Sequence, residues 1–318
     1  MDRPMDRLVV RVEAVRREAQ DVHSYELRRP DGAALPPFEA GAHIDLHLAE
    51  GLVRSYSLTN AQTERQRYVV AVGRQADGRG GSRFVHERLQ VGTVLPIGLP
   101  RNHFALREDA AHSVLIAGGI GITPLRAMHA RLAQLGRTWE LHYACRRSDR
   151  AAFARELQAL APHRVHLHFG DAAGGRLDIA RTVQAAPAGA HFYCCGPQAM
   201  LQAFEQATAG LPAERVHLER FAPLQPAAAQ GSFVVELVRS GRRLTVAAGT
   251  TILDTLLAHG VDAPYSCMQG ICGACETRVL GGVPEHRDSV LGEAECSANQ
   301  SMMVCCSGAR SPVLWLDL

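Results

Sequence analysis

The sequence lacks three features that would assign it to a special class of protein. Its 318 residues carry a formal net charge of only +2, which excludes the basic field that nucleic-acid binding requires. No apolar run approaches the roughly 20 residues that cross a bilayer, and residues 1–20 mix charged side chains throughout, unlike a signal peptide. We therefore expect a cytoplasmic protein with neither a nucleic acid nor a membrane as partner.

Cysteine and histidine, by contrast, are well represented, with nine and fifteen copies. In a reducing compartment, clustered cysteines indicate a metal or cofactor site rather than disulfides. The histidines are dispersed and most alternate with apolar residues on apparent strands, so we expect them to face solvent rather than to bind a metal. They include His43, His47, His142, His166 and His168.

Residues 1–109 have the pattern of a small antiparallel β-barrel or sandwich. Three runs predict strands: "LVVRVEAV" at 8–15, "HIDLHL" at 43–48 and "RYVVAVGR" at 67–74. The second run alternates polar and apolar residues, as a half-buried strand does. Clusters of glycine and proline separate such runs, which is typical of an all-β domain.

Residues 110–225 alternate apparent strands and helices, beginning with the strand "HSVLIAGG" at 112–119. The next helix is predicted to have Thr123 as its N-cap, Pro124 at its first position and Gly136 after its end. Alternation of this kind predicts an α/β domain, a parallel sheet with helices on both faces.

Residues 226–318 form a third predicted domain, which follows a linker at about 223–231 rich in Pro, Ala and Gln. The domain opens with a hairpin that turns at Ser240-Gly241 and continues with a short helix at 250–260. A loop with three cysteines comes next. The chain is therefore predicted to be a multidomain protein.

The cysteine loop has C-x4-C-x2-C spacing, formed by Cys267, Cys272 and Cys275. With a distant fourth cysteine, this is the spacing of a plant-type [2Fe–2S] site. Small residues in the loop let backbone N–H groups approach the sulfides. Zinc is the alternative, but zinc sites usually pair two C-x2-C units or include histidine. Spacing alone leaves the fourth ligand open among Cys296, Cys305 and Cys306.

Two glycine-containing turns follow predicted strands of the α/β segment: "AGGIGITP" at 117–124 and "YCCGPQAM" at 193–200. Such turns allow a pyrophosphate to approach a helix N-terminus, at the strand ends where open α/β folds bind ligands. The spacing is not the standard G-x-G-x-x-G, and a purely structural turn would also use glycine. Another strand ends in "CRRSD", where Arg146 and Arg147 are either acceptors of a 2′-phosphate or solvated loop charges.

Two further motifs lie in the barrel segment. "RSYSLTN" at 54–60 is either an ordinary edge strand or a ligand-binding one. "GRGGSRFVHE" at 78–87 is a glycine-rich loop that leads into a short helix, and the N–H groups of Gly80, Gly81 and Ser82 predict an anion site there.

Residues 232–318 resemble a plant-type ferredoxin domain, a β-grasp fold, through "CMQGICGAC" and "MMVCCSGA". The resemblance implies Cys305 as the fourth ligand, because the family's fourth cysteine occupies the first such position, at the end of a strand.

The two turns resemble the nicotinamide-binding domain of the ferredoxin–NADP reductase family, and "RSYS" matches its R-x-Y-S motif. The resemblance implies contacts to the nicotinamide nucleotide from Gly118, Gly119, Gly121, Thr123, Pro124, Arg146, Cys195, Gly196 and Pro197. It implies flavin contacts from Arg54, Ser55, Tyr56, Ser57, Gly80, Gly81, Ser82 and Phe221. In these roles Arg54 binds the phosphate, Tyr56 lies against the ring and Ser57 bonds its edge.

In its domain order the chain resembles the phthalate dioxygenase reductase and vanillate O-demethylase reductase group, whose members bind FMN. The resemblance implies hydride transfer from NADH, with NADPH as the alternative, to FMN and then single electrons to the [2Fe–2S] cluster. Because hydride transfer depends on stacking geometry, no catalytic acid, base or nucleophile is expected.

The expected electron acceptor is a terminal Rieske oxygenase that acts on an aromatic compound, and the chain is expected to be a monomer. One alternative is a reductase for a cytochrome P450 or a hybrid-cluster protein. Another is a non-enzymatic iron–sulfur redox sensor, but a sensor needs no hydride path, so "RSYS" and "GGIGITP" count against it.

Overall fold

The computed structural model describes five stretches of the chain: residues 7–49, 52–75, 80–171, 175–222 and 231–318. They belong to two compact units, one ending at Glu219 and the other beginning at Arg220. The predicted linker lies outside the described residues, apart from its last residue, Gly231. Within the described stretches, no helix is long and apolar enough to cross a membrane.

The first unit begins, in its described residues, with six strands and one helix: β1 (Arg7–Ala19), β2 (Val22–Arg28), β3 (His43–His47), β4 (Val53–Ser57), β5 (Tyr68–Gly73), α1 (Gly81–Arg88) and β6 (Val94–Gly98). The strands are antiparallel in the order β4-β3-β6-β1-β2-β5, and a bridge from Leu58 to Val70 joins the end of β4 to β5. Buried Tyr25, Ile44 and Ile97 belong to the enclosed core. The predicted antiparallel barrel is confirmed.

Strand β3 departs from the half-buried pattern predicted for it. Its polar residues His43 and Asp45 are buried, as are Ile44 and Leu46. Arg101 covers the polar face, because its backbone exchanges hydrogen bonds of 2.9 and 3.0 Å with His43 and its guanidinium pairs with Asp45 at 2.5 Å. The expectation that His43 faces solvent is therefore wrong.

Outside the undescribed residues 172–174, the second half of this unit has five strands and four helices: β7 (His112–Gly118), α2 (Ile122–Gln134), β8 (Thr138–Cys145), α3 (Ala154–Leu160), β9 (Val165–Phe169), α4 (Ile179–Ala185), β10 (His191–Cys195), α5 (Gln198–Thr208) and β11 (Val216–Glu219). The sheet is parallel, in the order β11-β10-β7-β8-β9, as predicted. The chain passes from β7 out to β9 and returns to β10 on the other side of β7. The strand order therefore reverses between β7 and β10, where open α/β folds bind ligands.

Helix α2 begins two residues earlier than predicted, at Ile122 with Gly121 as its N-cap. Thr123 therefore lies in the first turn, where its hydroxyl donates to the carbonyl of Ile120 at 2.9 Å, and Pro124 occupies the third position. The prediction of Thr123 as the N-cap is wrong because a short 3-10 turn precedes the helix and continues directly into it.

The second unit contains seven strands and two helices in its described part: β12 (Phe233–Leu237), β13 (Arg242–Val246), α6 (Ile252–Ala258), β14 (Glu276–Gly281), β15 (Pro284–Glu285), α7 (Glu293–Ala298), β16 (Ser301–Met303), β17 (Gly308–Ala309) and β18 (Val313–Leu316). The main sheet has the order β13-β12-β18-β14-β16, with β12 and β18 parallel. Thr251 and Asp254 form a capping box that starts α6, whose apolar face joins the core. A mixed sheet with one packed helix confirms the predicted ferredoxin-type fold.

Candidate functional site

The cysteine loop of the second unit brings together four buried thiols: Cys267, Cys272, Cys275 and Cys305. Backbone N–H groups of the loop point at their sulfur atoms. Gln269 N lies 3.3 Å from Cys267 Sγ, and Gly270 N lies 3.2 Å from Cys305 Sγ. Such donors stabilise negative charge on sulfur, as a bound iron–sulfur cluster requires.

Electrostatics within the loop also fit a cationic occupant. Contact with Cys272 raises the pKa of the Cys267 thiol, and contact with Cys305 raises the pKa of Cys275. Hydrogen bonding from Cys275 lowers the pKa of Cys305 to about 4. Thiols this close do not all ionise unless positive charge compensates them, so the residues present suit a [2Fe–2S] cluster.

The three candidates for the fourth ligand have different surroundings. Cys305 Sγ accepts the N–H of Gly270 within the loop. Cys306 Sγ also contacts Cys305 but points to the carbonyl of Met303 at 3.7 Å. Cys296, on α7, directs its thiol to the carbonyl of Leu291 at 3.8 Å. This arrangement favours Cys305, which stays a prediction.

In the barrel, the two candidate flavin motifs meet at the start of α1. A Cβ on Gly81 would lie 2.6 Å from Nε and 2.7 Å from Cγ of Arg54, so glycine is what allows the Arg54 side chain to cross the helix start. The guanidinium of Arg54 and the free N–H groups of the first helical turn together suit a phosphate. Ser82 Oγ accepts the N–H of Gln75 at 3.1 Å, which leaves its own proton available for a ligand.

Side chains alternate along β4 between two faces. Tyr56 packs against the barrel core, and burial raises the pKa of its phenol. Ser55 and Ser57 face the other way, and the hydroxyl of Ser55 donates to the buried carboxylate of Asp45 at 2.6 Å. Ser55 therefore supports the ion pair beneath the strand, a role that the motif did not indicate. Tyr56 and Ser57 remain the predicted ring contacts.

The two glycine turns of the α/β half touch each other at the reversal between β7 and β10. A Cβ on Gly118 would lie 2.6 Å from Pro197 Cδ, and one on Gly121 would lie 2.1 Å from the carbonyl oxygen of Cys195. A Cβ on Gly196 would lie 3.1 Å from Gly118 Cα. Gly121 is required by the backbone of Cys195, whereas Gly118 and Gly196 leave room mainly for the side chains of Pro197 and Met200.

Other predicted nucleotide contacts in these turns differ in accessibility. Thr123 and Cys195 are buried, whereas a Cβ on Gly119 would meet nothing within 4 Å among the described atoms. Gly119 is thus the glycine whose surroundings leave room for a ligand. The nucleotide contacts of these residues stay predictions.

Arg146 and Arg147 extend into solvent from the end of β8. Arg147 makes two hydrogen bonds to Asp149, at 3.0 and 2.5 Å. The carboxylate of Asp171 accepts the backbone N–H of Ser148 at 3.1 Å. Two carboxylates therefore accompany the arginines at this end of the sheet.

Glu219 is a candidate functional residue that the sequence analysis did not predict. It ends β11 opposite Cys195, with Oε2 4.0 Å from Cys195 Sγ. Although the residue is partly accessible, desolvation of its carboxyl raises the pKa from 4.5 to about 8. The sequence contains one indication of this residue, the acidic position in "HLERF" at the end of the last strand of the sheet.

Phe221 belongs to the second unit and is 38% exposed, so its flavin contact stays a prediction.

Comparison with known proteins first assigns the class. The 2Fe-2S iron–sulfur cluster binding domain family matches residues 235–310, and the oxidoreductase NAD-binding domain family matches residues 115–206. With the barrel before them, these domains make the chain an NAD(P)H-dependent flavin and iron–sulfur oxidoreductase.

Full-length relatives then give the family. The chain is 53% identical over 311 residues to phenoxybenzoate dioxygenase subunit beta of Ectopseudomonas oleovorans, covering 97% of each. It is 51% identical to tetrachlorobenzoquinone reductase of Sphingobium chlorophenolicum over 100% of each, and 43% identical to vanillate O-demethylase oxidoreductase of a Pseudomonas strain over 96% of this chain and 98% of that one. The chain belongs to the phthalate dioxygenase reductase and vanillate O-demethylase reductase family.

Solved structures also match nearly the whole chain. Phthalate dioxygenase reductase matches with a TM-score of 0.75 and 37% identity over 98% of each chain. An intact type IV self-sufficient cytochrome P450 monooxygenase matches with a TM-score of 0.89 and 38% identity over 98% of this chain. This chain spans 41% of that P450 protein.

Proposed function

We propose that this chain is the reductase component of a Rieske-type oxygenase or O-demethylase system for an aromatic compound. The observation that carries the proposal is the contact between the two glycine turns where the strand order reverses, in a chain that also has an arginine-backed anion site and a buried four-thiol loop. Relatives named as a phenoxybenzoate dioxygenase subunit and a vanillate O-demethylase oxidoreductase support this class of partner.

The residues of the chain act by position. Arg54 and the first turn of α1 would hold the flavin phosphate, and Tyr56 and Ser57 would contact its ring. The turns at Gly118 and Gly196 would orient the nicotinamide. When bound, flavin would supply the two-electron to one-electron chemistry that connects a hydride donor to a one-electron cluster. Because hydride transfer requires only that the nicotinamide and the flavin be aligned, no residue is assigned as a catalytic acid or base.

FMN is the flavin in this proposal, and NADH is the electron donor. The anion site at Arg54 and Gly81 suits one phosphate group, which FMN carries. Asp149, paired with Arg147, and Asp171, bonded to Ser148, disfavour the additional phosphate of NADPH. An acidic side chain at such a strand end accepts a ribose hydroxyl of NADH. Flavin released by acid from the purified chain should therefore be FMN, and kcat/KM should be higher for NADH than for NADPH.

The decisive experiment is reconstitution. The purified chain should show flavin and iron–sulfur absorption that NADH bleaches. It should reduce cytochrome c and support substrate turnover by a purified Rieske oxygenase encoded by a neighbouring gene. A colourless zinc protein, or a chain that reduces cytochrome c but no Rieske oxygenase, would overturn the proposal.

A direct quinone acceptor is the second candidate, because a relative of 51% identity is named as a tetrachlorobenzoquinone reductase. A flavin can reduce a quinone without a cluster. Quinone reduction that survives in a cluster-free variant would favour this candidate, whereas turnover that needs the cluster favours the oxygenase. A P450 acceptor, suggested by the P450 structure, is tested with the same assay.

We also propose a cytoplasmic monomer. None of the nine cysteines, all of them in described stretches, forms a disulfide, which suits a reducing compartment. Light scattering after size-exclusion chromatography should give the mass of one chain, and a dimer mass would contradict this part of the proposal.

A further inference from the structure

Strands β8 and β9 carry a cluster of polar side chains that neither predicted nucleotide site uses. Glu140 and His142 stand on β8, and His166 and His168 stand on β9, with His142 in register with His166. Residues two apart on a strand share a face, so all four side chains lie on one side of the sheet. The side chain of His142 is only 13% exposed, so the expectation that it faces solvent is wrong.

His142 is held on several sides and has one ring nitrogen without a hydrogen bond. Its Nδ1 lies 3.4 Å from His168 Nε2, and its ring stacks on His166 with centroids 4.8 Å apart. Its Nε2 is buried, has no hydrogen-bond partner among the described residues and lies 3.6 Å from Glu140 Oε1.

The separation of 3.6 Å is too long for a hydrogen bond but suits two ligands of one metal ion. Ligand atoms about 2.1 Å from a tetrahedral zinc ion lie about 3.4 Å from each other. Three donor atoms, one each from Glu140, His142 and His166, lie within 4.8 Å of one another. Metal binding would require the exposed His166 ring, which stacks on His142, to turn toward the other two donor atoms.

We propose that Glu140, His142 and His166 form a binding site for a divalent transition-metal ion of the Zn²⁺ class. Water occupies the fourth position, which opens to solvent beside His166. His168 orients the His142 ring through Nδ1, as partners of metal-bound imidazoles do. Because β9 is the edge strand, the ion fastens the edge of the sheet to β8.

The test uses the untagged full-length protein with its flavin and cluster in place. Zn²⁺ is added to chelator-treated protein, and binding is measured by competition with a chromogenic zinc chelator. We expect one Zn²⁺ per chain and a higher thermal midpoint with zinc. His166→Ala, at an exposed position that should fold normally, and Glu140→Gln should each weaken binding at least about tenfold and remove the midpoint shift.

The matched control is His191→Ala. His191 stacks on His217 with centroids 5.4 Å apart, and its register places it on the opposite face of the same sheet. This variant should bind zinc like the parent. Zinc K-edge absorption should give nitrogen and oxygen neighbours at about 2.0–2.1 Å. A sulfur shell at about 2.3 Å, equal binding by the Glu140 and His166 variants, or no binding by the parent would overturn the proposal.

Discussion

The four-thiol loop and the paired turns of the α/β half both depend on glycine, but for different reasons. In the loop, Gly270 and Gly273 have φ of 69° and 70°, a left-handed conformation that lets N–H groups turn toward sulfur. In the turns, Gly121 has an ordinary φ of −62°, and what it needs is the absence of a Cβ against Cys195. Gly270 combines the left-handed conformation with a close approach, since a Cβ there would lie 2.4 Å from Cys306 Sγ, whereas Gly121 is needed for its close approach alone.

Because the two sites depend on different residues, we expect a mutation in one of them to leave the other functional. Damage to the loop should remove one-electron transfer and leave the flavin in contact with NADH. Damage to the turns should slow the use of NADH and leave the cluster in place.

Cys305→Ser should abolish cluster assembly, whereas Cys306→Ser should spare it, because the Cys305 sulfur is the one that accepts a loop N–H. Iron and acid-labile sulfide analysis gives the cluster content. Cytochrome c reduction should fall to background in the first variant, while NADH-dependent ferricyanide reduction through the flavin persists. The reverse pattern between the two variants would show that Cys306 is the ligand.

Gly121→Ala should slow flavin reduction by NADH and destabilise the first unit by about 1–3 kcal/mol, because the new Cβ meets a backbone carbonyl that cannot easily move. Stopped-flow absorbance measures the first effect and thermal unfolding the second. Gly210→Ala is the matched control, since a Cβ there meets nothing within 4 Å among the described atoms. Loss of the cluster in Gly121→Ala would break the proposed separation.

Arg54→Ala should weaken flavin retention by about 10- to 100-fold, the effect of losing a charged hydrogen bond of about 1.5–3 kcal/mol. Gly81→Ala should act in the same direction, because its Cβ displaces the Arg54 side chain. Equilibrium dialysis or fluorescence recovery of released flavin gives the dissociation constant. Arg83→Ala removes the same charge from an exposed position on α1 and should have little effect. Unchanged flavin content in Arg54→Ala would refute the phosphate role.

Glu219→Gln should change only how the stability of the chain depends on pH. The pKa of Glu219 is raised from 4.5 to about 8 in the folded chain, so the unfolded state releases this proton first. The parent therefore loses stability as pH rises from about 5 to 8, by at most about 1.4 kcal/mol per pH unit. The amide does not titrate, so the thermal midpoint of the variant should rise relative to that of the parent as the pH increases over this range. Parallel midpoints across it would contradict the raised pKa.

The sequence predicts the parallel sheet correctly but not the start of α2 or the burial of the histidines. The alternation of strands and helices after residue 110 was enough to predict the parallel sheet, because each element carries its own periodicity. The start of α2 was misplaced, because Thr123 has the composition of an N-cap but bonds back to Ile120. Histidines were interpreted as solvent-facing because alternation reports two faces and cannot tell whether another segment covers one of them.

By itself, the sequence determined the order of the three domains and the spacing of the thiols, because both are set by residues close together along the chain. The tertiary structure decided which polar residues are buried. Asp45 meets Arg101 across 56 residues, Cys195 meets Glu219 across 24, and His142 meets His168 across 26. Burial and pairing over such separations follow from how the sheets are assembled, and no local pattern of residues records them.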